Sequence, residues 1–332
     1  MIPTPFLRSP PFPGIAASLA AVSVMCETGD GAAPVDDDVL DAIVAARVGG
    51  AFWGARPGEP GRSDRAESDP WALVASVQSI HAQADEDVAL IAGLLGVSVI
   101  GPDGAVIDPG QLHASLKARI AAARYRDCFT GAPVDAMQAV TQLADWRRHI
   151  DGNRGIVAAS GMAFWKRDAI RHFLWDGIAS PPFLSADRGL RRARREQGAL
   201  AVWPSRVPVT LPQDAADQGV ALARVEDGFL RSRGLGAALH PPGSVVVDRT
   251  GIYYNARAAN DLETLLATHD FPLALVDRAR RLRERVCATG VTKYGPEAGQ
   301  MIDLPAGRRT VLAIGQVDDD LSVRLGGAGV DG

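Results

Sequence analysis

An α/β protein built on a doubly wound, mostly parallel sheet is the fold that this sequence predicts, and three observations carry it. From Gly155 onward, short apolar runs of strand length alternate with helical stretches, the rhythm of strand–helix–strand units. Gly219 to Val225 ends on two adjacent acids, Glu226 and Asp227. Near the C-terminus, Thr310 to Gly315 runs through Gln316 into Asp318, Asp319 and Asp320. Open α/β sheets take their ligands just beyond the carboxyl ends of the strands, so two strands ending in acids suggest one polar cleft. The plainer reading of either cluster alone is a solvated turn.

Taken in order, Val39 to Val48 has helical periodicity and precedes a short aromatic run, Ala51 to Trp53. The Gly-, Pro- and charge-rich stretch from Gly54 to Pro70 reads as an exposed loop or linker. Val88 to Leu95 reads as a helix, Val97 to Ile100 as a strand, and Asp103-Gly104 as a turn. Leu112 to Arg124 and Ala136 to Ile150 are amphipathic helices, the second capped by Asp135 and ended near Gly152. Beyond it come a strand at Gly155 to Ala159, a helix at Trp165 to Trp175 and a basic helix at Arg188 to Gln197. Strands follow at Ala199 to Trp203 and Gly219 to Val225. Ser244 to Asp248, a turn at Arg249 to Gly251, and Ile252 to Tyr254 are expected to form a hairpin. Asp261 to Thr268 and Leu273 to Ala288 are helices, the second opened by Pro272 and closed by Gly290. Thr310 to Gly315 is the final strand. Three segments follow: 1–69 with its linker, 70–150 as a smaller α/β and helical piece, and 151–332 as a Rossmann-like half-domain. The chain stops at Gly332 soon after that last strand, so the other half of a doubly wound domain is expected to be missing.

The 332 residues are 47% hydrophobic and 22% charged, the balance of a globular protein, and long enough for one large or two ordinary domains. A net charge of -4 gives no electrostatic footprint for a nucleic-acid partner. Cys26, Cys128 and Cys287 are far apart and odd in number, which fits a reducing compartment without a disulfide frame or zinc site. The longest apolar stretch, Val88 to Ile100, is too short to span a bilayer. Pro10, Pro11 and Pro13 before the apolar Gly14 to Met25 argue against a signal peptide. A cytoplasmic location is expected, with peripheral association at the inner membrane left open.

Six blocks then appear in one order. They are Gly161-Met-Ala-Phe-Trp-Lys-Arg167; Ala201-Val-Trp203; Arg224-Val-Glu-Asp-Gly-Phe-Leu-Arg-Ser232; Ser244 to Tyr254; Thr292-Lys-Tyr294; and Gln316 followed by Asp319 to Val323. In this pattern the segment from about Asp151 to Gly329 resembles the bacterial capsular polysaccharide β-Kdo transferases, where Kdo is 3-deoxy-D-manno-oct-2-ulosonic acid. Residues 70–150 look similar to the trailing end of a first transferase module with its helical connector into a second.

The resemblance implies a GT-B-like half-domain that transfers Kdo from CMP-Kdo to a lipid-linked acceptor, without a metal or other cofactor. It implies retention of anomeric configuration through a covalent sugar–enzyme adduct, with Asp320 aligned to the nucleophile. A carboxylate can attack the anomeric carbon, leave again and stabilise an oxocarbenium-like transition state. Glu226 and Asp227 would supply acid/base chemistry, and Gln316 would orient the nucleophile or a sugar hydroxyl. Arg231, Lys293 and Tyr294 suit a sugar carboxylate or a nucleotide phosphate. Ser322 lies in the last block, and strand alternation would turn only one of Tyr253 and Tyr254 toward a cleft. The resemblance places the family's nucleotide-binding His-Pro motif downstream of the nucleophile, in the half expected to be missing.

Two other readings stand beside this one. Asp318, Asp319 and Asp320 also fit a DxD site holding Mg²⁺ or Mn²⁺ against a nucleotide-sugar diphosphate. Alternatively, the chain is a non-catalytic capsule-export component that binds glycolipid through Trp165, Trp203 and the arginines of Arg188 to Arg195. That helix is otherwise a solvated face.

Overall fold

The computed structural model describes residues 4–13, 34–58, 68–127, 131–232, 239–271, 273–293, 307, 309, 311 and 320–326. Contacts divide the chain into two compact units, Met1–Arg154 with Leu174–Ser180, and Gly155–Phe173 with Pro181–Gly332.

In the first unit the elements are α1 (Asp37–Ala46), α2 (Pro70–Val74), β1 (Ser79–His81), α3 (Asp87–Leu94), β2 (Ser98–Ile100), α4 (Pro109–Ala121), β3 (Tyr125–Arg126), β4 (Pro133–Val134) and α5 (Ala136–Asn153). β1 and β2 pair in parallel across α3, while β3 and β4 form a short antiparallel ribbon. The helices begin where the sequence supplies caps. Asp108 accepts from Gln111 N at 2.9 Å, and Asp135 and Gln138 form a reciprocal capping box at α5. Phe6, Ile43, Phe52, Leu90, Ile91, Leu116, Leu143 and Ile150 fill one core. A buried ion pair crosses it: Arg147 donates to Asp69 at 2.8 Å and to the carbonyls of Arg47 and Phe52. Arg147 thereby satisfies backbone acceptors that burial would otherwise leave unpaired.

The second unit contains β5 (Ile156–Ser160), a 3-10 turn (Phe164–Lys166), α6 (Arg167–Phe173), α7 (Ala186–Arg195), β6 (Ala199–Val202), a second 3-10 turn (Pro204–Arg206), α8 (Leu211–Asp217), β7 (Ala221–Asp227), β8 (Val245–Asp248), α9 (Asp261–Thr268), α10 (Leu273–Thr289) and α11 (Leu321–Gly326). The sheet order is β5-β6-β7-β8. β5, β6 and β7 are parallel and β8 closes the edge antiparallel to β7, so the unit is α/β with a mostly parallel sheet. Every residue of β6 is buried, as a central parallel strand requires. Leu190 and Ala193 of α7, with Leu211 and Ala215 of α8, pack over Ala158, Leu200 and Leu222. Gly189 permits the close approach of α7, because a Cβ there would lie 2.6 Å from Leu200 Cδ1.

The expected hairpin between Ser244–Asp248 and Ile252–Tyr254 does not form. β8 pairs with β7 instead, Glu226 standing opposite Val246 and Asp227 opposite Val245. The fully buried Asp248 carboxylate accepts from the backbone N–H groups of Thr250, Gly251 and Asp261. Those three bonds fold the chain into a turn, so residues 252–254 cannot return as a strand. The expected strand Thr310–Gly315 (but for Val311) and the helix-opening Pro272 lie outside the described residues. Among the described residues, no helix is long and apolar enough to cross a membrane.

Candidate functional site

Register explains why acids are tolerated at the end of β7. The pairing of β6 with β7 stops at Val202 opposite Arg224, so Glu226 and Asp227 project past β6 and pair only with β8. The connections after β5 and β6 meet them there. Gly161, at φ +79°, leads from β5 toward the first 3-10 turn, and Trp203 opens the second.

The two carboxylates have different partners. Both oxygens of Asp227 accept from Lys166 Nζ at 3.1 Å, and Oδ2 also accepts from Arg231 Nε at 2.7 Å. Lys166 is 7% exposed, with its ammonium 3.5 Å from the centre of the Trp203 ring and 5.1 Å from that of Trp165. Burial pulls the Lys166 pKa below the ordinary lysine value, Arg231 adds to this, and Asp227 opposes it. Aromatic faces and a carboxylate together hold a desolvated cation. Glu226 instead accepts from the Tyr254 hydroxyl at 3.2 Å. Burial drives its pKa up to about 7, with Asp227 pushing the same way and Tyr254 and Lys166 pulling back. Burial and the neighbouring Glu226 likewise raise Tyr254 above the ordinary phenol range, which keeps its hydroxyl a donor. The geometry yields one ion-paired carboxylate beside one that exchanges a proton near neutrality, a division suited to acid/base work.

Arg231 is 2% exposed and committed to protein groups. Besides Asp227 it donates to Ser232 Oγ at 2.7 Å and His240 O at 3.1 Å, and its backbone N–H donates to Lys293 O. It clamps three chain segments beneath the acids. Gly228 is required by a crossing of backbones, since a Cβ there would lie 2.2 Å from Ser244 Oγ.

Glu226, Asp227, Tyr254, Lys293, Asp320 and Ser322 line one cavity of about 660 Å³. Asp320 lies at the start of α11, where Oδ1 accepts from Ser322 N and Ser322 Oγ, both at 2.9 Å. Tyr253 lines the same cavity, so the turn presents both tyrosines where strand alternation would have presented one. Gln316 and Tyr294 lie outside the described residues, as do Asp318 and Asp319 of the DxD reading. Arg231 lines an adjoining cavity of about 160 Å³ that shares Lys166, Trp203, Arg206 and Asp227 with the larger one. Trp203, named above as a glycolipid contact, is buried against Lys166 and lines both cavities. Arg191, Arg194 and Arg195 of α7 are exposed, and Arg192 and Arg195 pair with Glu196.

Lys166 and Arg206 were not singled out by sequence reasoning. The one available signal was that Lys166 falls within the block Gly161 to Arg167, and nothing comparable marked Arg206.

Residues 198–331 match the model of the family described as capsule polysaccharide biosynthesis proteins. The capsule polysaccharide modification protein LipA of Neisseria meningitidis serogroup A is 30% identical over 203 residues, covering 61% of this chain and 29% of that protein. The lipopolysaccharide-processing protein LpsZ of Rhizobium meliloti is 43% identical over 182 residues, covering 52% of this chain and 40% of its own. The chain thus spans less than half the length of these curated relatives. A solved β-Kdo 2,7 transferase, KpsC of Thermosulfurimonas dismutans, aligns over 53% of each chain at 26% identity and a TM-score of 0.37. The stretch that matches the capsule polysaccharide biosynthesis family model, residues 198–331, is the one that carries Glu226, Asp227, Lys293 and Asp320.

Proposed function

We propose that the second unit transfers an acidic sugar, Kdo, from CMP-Kdo to a lipid-linked acceptor with retention of configuration. The observation that carries this reading is the lining of a single cavity by Asp320, Glu226 and Asp227. The six sequence blocks and the family match support the same assignment.

In the first step an Asp320 carboxylate oxygen attacks the anomeric carbon. The bond to the phosphate oxygen breaks, and CMP leaves with that electron pair. In the second step Glu226, in its carboxylate form, takes the proton of the acceptor hydroxyl. The hydroxyl oxygen attacks the same carbon and Asp320 is released, so two inversions give retention. A pKa of about 7 lets Glu226 accept that proton and return it to solvent within each cycle. Tyr254 donates to Glu226 and orients it, while Lys166 and Arg231 fix Asp227 alongside.

The test is CMP release from CMP-Kdo in the presence of a Kdo-terminated glycolipid. Asp320→Ala should abolish it, and Glu226→Gln should lower it by about 10²–10⁴-fold, the usual range for a lost general base. Undiminished release by Asp320→Ala would overturn the assignment.

A further inference from the structure

The large cavity is lined by cations as well as by acids, and one of them, Arg206, is left unused by the transfer steps above. The 3-10 turn Pro204–Arg206 follows β6 directly and therefore stands at the carboxyl edge of the sheet, where open α/β sheets take their ligands. Arg206 lines both the 660 Å³ cavity and the 160 Å³ one. Lys166, Arg206 and Arg231 are the cations around the smaller cavity, and two of them are tied to Asp227. Arg206 is exposed, and among the described residues its guanidinium has no hydrogen-bond or ion-pair partner.

Its backbone is nonetheless fixed. Arg206 N donates to Trp203 O at 3.0 Å, and Pro204 opens the turn. Gly161 lets the two connections close on one another, since a Cβ there would lie 3.0 Å from Trp203 O and 3.3 Å from Arg206 O. A planar, permanently charged fork on a rigid turn, without a partner among the described residues and lining a cavity, has the attributes of an anion subsite.

We infer that Arg206 receives an anionic oxygen group of the donor, either the sugar carboxylate or the nucleotide phosphate. This rests on the acidic-sugar reading above and adds what draws such a donor in. Glu226, Asp227 and Asp320 line the same cavity and repel an anionic donor. A cation at the Trp203 end offsets that repulsion and orients the donor with its anomeric carbon toward Asp320.

The experiment is calorimetric titration of the full chain with free Kdo, its methyl ester, CMP and cytidine. Arg206 is exposed, so Arg206→Ala should fold as the parent does, and Arg206→Lys keeps the charge without the fork. If the subsite takes the carboxylate, Arg206→Ala weakens Kdo about tenfold, to the affinity of the ester, and leaves CMP unchanged. If it takes the phosphate, CMP falls to the affinity of cytidine and Kdo is unchanged. Arg206→Lys lies between in either case. Unchanged binding of both anions by Arg206→Ala overturns the inference alone, as does an equal loss for each anion and its neutral counterpart. A parent protein that binds neither Kdo nor CMP overturns the acidic-sugar reading and this inference with it.

Discussion

Substituting Glu226 by Gln should change how the stability of the second unit depends on pH, and the structure sets both sign and size. Burial raises the Glu226 pKa from 4.5 to about 7, so the folded protein holds this proton more tightly than the unfolded chain. Its contribution to stability is fully present below pH 4.5 and is lost as pH rises through about 7. At about 1.4 kcal/mol per pH unit, that gap corresponds to about 3 kcal/mol. The amide introduced by Glu226→Gln is neutral throughout, keeps an acceptor for the Tyr254 hydroxyl and loses nothing across that window. Relative to the parent, the variant should therefore gain about 3 kcal/mol between pH 4 and pH 8. Urea unfolding of both proteins at each pH reads this as a difference of differences, in which the first unit and all other titrating groups cancel. With a slope of about 2 kcal/mol/M, the relative midpoint should move by about 1.5 M. A difference between variant and parent that stays constant from pH 4 to pH 8 would refute the claim that Glu226 is held protonated by burial.

Other perturbations test the frame around this residue. Lys166→Met leaves Asp227 with Arg231 alone and removes a cation from the Trp203 face, so it should destabilise the protein by about 3 kcal/mol in urea unfolding. The same variant should raise the Glu226 pKa further, because the Lys166 charge holds it down; carboxyl-carbon NMR titration reads that directly. Gly228→Ala should cost about 2 kcal/mol by forcing β7 and β8 apart at Ser244, and Ser244→Gly in the same chain should recover part of it. In the first unit, Asp69→Ala removes one of the two carboxylates paired with the buried Arg147, leaving Asp151, and should cost about 3 kcal/mol, measured by thermal or urea unfolding.

The alternation of strands and helices was legible from Gly155 on because each element has its own signal. β6 is a short, wholly apolar run, and α5 opens with Asp135 and Gln138 three residues apart, a capping box. The carboxylate pair closing β7 was visible for the same reason: charge at the end of an apolar run is conspicuous. The turn at residues 248–254 was not legible. Val245 to Tyr254 alternates like a hairpin, and only the burial of Asp248 with its backbone donors decides against one. Lys166 was hidden because a lysine beside two aromatics reads as surface until β6 brings Trp203 beneath it. Arg206 was hidden because its meaning lies in its place on the lining of both cavities, which sequence does not record. The helices α8 and α11 are too short, at 7 and 6 residues, to show a period.

Intact-mass spectrometry of the protein incubated with CMP-Kdo tests the central claim most directly. Glu226→Gln, slow to activate the acceptor, should accumulate a species heavier by one Kdo residue, with the added mass mapping to the peptide bearing Asp320. That species should be absent from Asp320→Ala. A Kdo adduct that persists in Asp320→Ala, or transfer that continues there without one, would contradict the account.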